Sequence, residues 1–86
     1  MLSKRKNGVK SYRLTAVFWR EGRQVVGKCP ELGVSSCGDD WEDAKQMLEE
    51  AVNLYIHHAK KLGMLEELKH VLNTQDRYAT FIEVPA

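Results

Sequence analysis

Apolar and polar residues alternate from Tyr12 to Trp19, with Tyr12, Leu14, Ala16 and Phe18 on one face and Arg13, Thr15, Val17 and Trp19 on the other. A period of two in strong β-formers predicts a strand. Arg20-Glu21-Gly22-Arg23 is a short polar connection, and Gln24 to Cys29 resumes an apolar run, so the two segments read as a β-hairpin. Pro30 has no amide hydrogen to donate and ends the ladder on that side. Glu31-Leu32-Gly33 turns the chain, and Val34 to Cys37 reads as a short third strand of an antiparallel meander.

After Gly38-Asp39-Asp40 the period changes. Trp41, Ala44, Leu48, Ala51, Val52, Tyr55, Ala59 and Leu62 recur at three and four residues, one apolar stripe on a long helix. Asp40 is placed as its N-cap, with Asp43 three residues on in a capping-box-like arrangement. Glu42 and Asp43 in the first turn and Lys60 and Lys61 in the last complement the helix dipole, and Gly63 supplies the stop. Met64 to Leu72 predicts a second short helix, with Leu65, Leu68 and Leu72 inward. Asn73 to Asp76 is a turn. Tyr78 to Val84 alternates again and predicts a closing strand. The expected fold is α+β, in the order β-β-β-α-(α)-β, with one long helix across an antiparallel sheet. Of the aromatic residues, Phe18, Trp41 and Tyr55 are expected in the core. Val17 and Trp19, on the outer sheet face, are candidate contacts with another chain.

Composition narrows this little. A chain of 86 residues is one domain with a modest core, so self-association as a dimer or tetramer is expected. A formal net charge of +1 gives no overall pull toward nucleic acid or membrane. The local excess of Lys4, Arg5, Lys6 and Lys10 reads as a flexible basic terminus over residues 1–10, leaving 11–86 as the domain. No apolar run reaches the length of a membrane span and no apolar stretch follows the early positive charges, so a cytoplasmic protein with reduced thiols is expected.

Few residues suggest chemistry. Asp39, Asp40, Glu42 and Asp43 fall within five positions, whereas two-metal catalysis draws carboxylates from separate elements. Capping and the helix dipole account for all four. His57 and His58 are adjacent, so on a helix they diverge by about 100° and cannot chelate one metal. Cys29 and Cys37 lack CxxC spacing and have no basic neighbour at catalytic spacing, and read as small apolar groups at strand ends. No catalytic residue, metal or cofactor is expected.

The stretch from Tyr12 to about Leu62 resembles the HicB family of bacterial antitoxins. Its matching features are the opening strand, the passage CPELGVSSCGDDWEDA, the helix MLEEAVNLYIHHAKK and the closing FIEVPA. The family run "cPdlpG...s.GdT.eEA...l.eAl..yl" is met here by Cys29-Pro30-Glu31-Leu32-Gly33, Gly38-Asp39-Asp40 and Glu42-Asp43-Ala44. Asp40 stands where threonine is commoner, and either residue caps a helix. The resemblance implies a partly degraded RNase H-like domain that binds and blocks a small RNA-cutting toxin of the HicA type. Many relatives add a C-terminal DNA-binding domain. None is expected in this chain, and with it no specific DNA binding alone. A toxin that binds phosphates is basic, so an acidic covering surface is expected, with Glu31, Asp39, Glu42, Asp43, Glu49 and Glu50 as candidates. Three other readings are a stand-alone HicB-like protein with another partner, a weak RNase H-like nuclease and an RNA-binding adaptor. The carboxylate-free first strand disfavours the nuclease, and the near-neutral charge disfavours the adaptor.

Overall fold

The hairpin is built on Gly22. In the computed structural model, which describes residues 11–74 and 76–86, β1 (Val17–Glu21) and β2 (Gln24–Cys29) pair antiparallel with Glu21 opposite Gln24. The two-residue connection begins with Gly22 at φ 61°, a conformation that glycine takes freely and that suits the twist of a tight hairpin. β3 (Val34–Gly38) pairs antiparallel with β2, giving the sheet order β1-β2-β3. The basic segment expected over residues 1–10 lies outside the described residues.

Glycine also lets the helix sit close. A Cβ on Gly27 would come within 2.7 Å of the Phe18 ring and 3.4 Å of a Leu48 methyl, and one on Gly38 within 2.5 Å of the Ala44 amide nitrogen. The helix α1 (Trp41–Lys61) therefore lies on the sheet face that carries Phe18, Val25, Gly27 and Cys29. Val25, Cys29, Ala44 and Leu48 are buried there, and Ala59 and Leu72 extend the core toward α2 (Leu65–Asn73).

Both ends of α1 follow from local chemistry. The Asp43 amide donates to the Asp40 carboxylate at 2.8 Å, which makes Asp40 the N-cap. The Asp43 carboxylate accepts in return from the Asp39 amide at 2.9 Å, one residue before the cap. At the far end, Gly63 takes φ 73°. Its amide donates to the Lys60 carbonyl at 3.1 Å, and the Met64 amide to the Ala59 carbonyl at 2.7 Å. This paired closure satisfies carbonyls that the helix leaves open.

Three expectations are corrected. The first strand begins at Val17, not Tyr12. Val17 faces Lys28 and β2 stops at Cys29, so residues 12–15 would have to pair with Pro30 and the loop beyond it. The closing strand does not form: among the described residues the sheet has three strands, and Tyr78, Phe81, Ile82 and Val84 are 89%, 96%, 82% and 73% exposed. Alternation supplied an apolar face, but no neighbouring strand pairs with it. Finally, Trp41 and Tyr55 are not core residues. The inward line of α1 runs through Ala44, Leu48 and Ala59, and Trp41 overhangs β1 with the Arg20 guanidinium 5.2 Å above its ring.

Candidate functional site

The acidic candidates separate into two places. Asp39, Glu42 and Asp43 stand at the start of α1, and Glu49 and Glu50 lie further along the same helix. Glu31 belongs to the β2–β3 loop, at the opposite end of β3 from Gly38. A five-residue strand spans roughly 16 Å, so Glu31 is not part of the acidic group at the helix start. Glu42, Glu49 and Glu50 are exposed, and among the described residues none of the three pairs with a basic side chain. The carboxylates of Asp40 and Asp43 are occupied by backbone amides. Among the described residues, no group of three or more His, Cys, Asp or Glu side chains is placed to hold a metal. His57 and His58 sit on the exposed flank of α1, their ring centroids 6.2 Å apart and tilted by 45°.

Glu31 is the hub of a cluster that joins four parts of the chain. Its carboxylate accepts from the Thr15 hydroxyl at 2.6 Å, from the Thr15 amide at 3.1 Å and from the Cys29 thiol at 3.5 Å. The Arg77 Nε lies 2.8 Å from its second oxygen, with the two side chains only 21% and 12% exposed. The Arg77 guanidinium also donates to the carbonyls of Arg13 and Val71. Thr15 thus finds in a side chain the acceptor that β2 no longer offers it. Partial burial pushes the Glu31 carboxyl up, but hydrogen bonds from the Thr15 hydroxyl, its own amide and the Thr15 amide outweigh it. The net effect holds its pKa below the ordinary carboxylate value. Burial pushes the Cys29 thiol up, and its contact with Glu31 adds to this. At neutral pH Cys29 is therefore a protonated, inert thiol that donates to its neighbour. No local spacing announces this cluster, because Thr15, Glu31 and Arg77 are far apart in sequence and each reads alone as a surface residue.

The second feature is the sheet face away from α1. Trp19, Val26 and Cys37 stand opposite one another across the three strands, with Val17 beside them on β1. Val17 and Trp19 are 40% and 38% exposed. The Trp19 indole donates to Glu21 at 3.0 Å, which fixes the ring along the strand. On the other face, a groove of about 410 Å³ opens between the lead-in to β1 and α1, bounded by Tyr12, Phe18, Leu48 and Val52. The outer face is apolar, the groove is mixed with Lys45, Glu49 and Asn53 along its α1 wall, and neither carries a reactive constellation, so their chemistry is that of contact.

In comparison with known proteins, no family model matches the chain, and no curated protein or solved structure gives a significant match. Among the described residues, no helix is long and apolar enough to cross a membrane.

Proposed function

We propose that the chain is a non-enzymatic interaction domain of antitoxin type, which neutralises a small, basic, RNA-cutting protein of the HicA kind by covering it. The observation that carries this reading is an exposed flank of α1 on which Glu42, Glu49 and Glu50 form no salt bridge among the described residues and outnumber the one lysine between them, Lys45. Together with Asp39 at the helix start, they form a surface complementary to a phosphate-binding protein. Glu31 has no place in it, because Arg77 and Thr15 already occupy its carboxylate. The resemblance of the passage from Cys29 to Ala44 to the HicB run supports the same reading. In this reading the protein acts as a homo-oligomer.

The test is co-expression with a small basic RNA-cutting protein encoded beside it. Growth rescue and co-purification are expected, and both should weaken in a Glu42→Lys/Glu49→Lys variant. Neither rescue nor a complex, or RNA cleavage by the purified chain with magnesium or manganese, would contradict the reading.

A further inference from the structure

Residues 78–84 have the pattern of a strand and the surroundings of none. Four large apolar side chains, Tyr78, Phe81, Ile82 and Val84, are each more than 70% exposed. The root of the segment is nonetheless fixed. Arg77 is held by the Glu31 carboxylate at 2.8 Å and by the carbonyls of Arg13 and Val71. Just beyond it, Tyr78, Ala79 and Thr80 border a cleft whose other wall includes Thr15 and Val17. The segment therefore leaves the body at a defined point beside the start of β1 and then runs out, uncovered.

β1 has the complementary lack. It is an edge of the sheet and pairs with β2 alone among the described residues. An open edge and an apolar strand-like segment are each unfavourable in water, and each offers what the other needs. Within one chain they do not meet, since Phe81 and Ile82 are 96% and 82% exposed although the segment starts beside Val17.

We infer that two copies of this chain exchange residues 78–84, each copy adding that segment as a fourth strand to the β1 edge of the other. The inference rests on the reading of the chain as a self-associating interaction domain, and it names the surface and the partner. Reciprocal exchange is a closed two-fold arrangement, in which one contact made twice covers both edges and both segments. A strand added at β1 turns alternate side chains to opposite faces. Ile82 and Val84 enter the helix-side groove beside Tyr12, Phe18, Leu48 and Val52, while Phe81 lies against Val17 and Trp19. The Arg77–Glu31 pair stays within its own chain and sets the point of departure.

The test is the mass of the full chain in solution at micromolar concentration, by light scattering. The parent is expected at twice the chain's 9.9 kDa. Phe81→Asp, which places a charge against Val17 and Trp19, and Ile82→Pro, which removes a ladder donor, should each return the single-chain mass with the helical circular dichroism unchanged. Cys37→Asp lies on the outer face of the far strand β3 and should leave the dimer intact. A parent at the single-chain mass, a dimer that survives both tail variants, or a dimer lost in Cys37→Asp would overturn the exchange. A single-chain species that still co-purifies with the basic partner would overturn the exchange alone and leave the proposed function standing.

Discussion

In β2, Val25, Gly27 and Cys29 alternate with Gln24, Val26 and Lys28, and the first set is buried under α1. In residues 78–84, Tyr78, Thr80, Ile82 and Val84 alternate with Ala79, Phe81 and Glu83, and every one of them is exposed. Both segments carry a period-two pattern and β-forming residues. What separates them is company: β2 has a strand on either side and a helix over one face, whereas, among the described residues, 78–84 have neither. A period of two states which side chains want to share a face. It does not state whose sheet supplies that face.

The comparison breaks first wherever β2 loses its cover. A Cβ on Gly38 would strike the backbone at the start of α1, at 2.5 Å from the Ala44 amide nitrogen. Gly38→Ala should therefore destabilise the fold by roughly 3 kcal/mol, since neither backbone gives way easily. Leu48→Ala, at a 3% exposed position against Gly27, should cost about 3 kcal/mol through lost burial and the cavity left behind. Denaturant melts measure both. A loss below about 1 kcal/mol in either would show that α1 does not bear on the sheet as described.

Glu31→Gln sharpens the difference by loosening the root of the uncovered segment, while its only side-chain bond to β2 is the long one from the Cys29 thiol at the strand's end. Its loss should be about 2 kcal/mol, the scale of hydrogen bonds to a partly buried charge. Because the folded pKa of Glu31 lies below the ordinary 4.5, the contribution of its ionised form is complete above about pH 4.5. It fades as the pH falls through the lower folded value. Melts from pH 7 downward should show the parent losing stability across that window more steeply than Glu31→Gln. Parallel curves would remove the cluster from the account.

A smaller effect tests the helix start. Asp40→Ala leaves the Asp43 amide without its acceptor and should cost about 1 kcal/mol. At Asp39 the donor to Asp43 is the backbone amide, which Asp39→Ala retains, so that variant should cost clearly less. Equal losses would mean that the cap is misplaced. Smallest of all, Thr80→Ala in the uncovered segment should change single-chain stability by less than about 0.5 kcal/mol.

The local devices were legible because their causes are local. Gly22, the Asp40 to Asp43 spacing and Gly63 each act over three or four residues, and the change from period two to three and four marks the passage from β3 to α1. The inward face of α1 was legible only in part. Trp41 and Leu62 fit the stripe, yet they lie at the ends of a helix longer than the sheet beneath it, where there is little to cover them. The length of β1 and the fate of residues 78–84 were not legible, since both depend on whether a partner strand exists at that place. The Thr15–Glu31–Arg77 cluster was invisible for the same reason: only the fold brings its members together. The acidic candidates of α1 were legible as a helix face, but the separation of Glu31 from the helix start follows from the run of β3.

The most direct measurement of the central claim, that residues 78–84 are a strand in need of another chain's sheet, is amide hydrogen exchange followed across protein concentration. Amides of β2 should be protected at every concentration. Amides of residues 78–84 should be protected at high concentration and lose that protection on dilution, together with those on the open side of β1. Exchange of 78–84 at the free-chain rate at all concentrations would contradict the claim, and so would protection that dilution leaves unchanged.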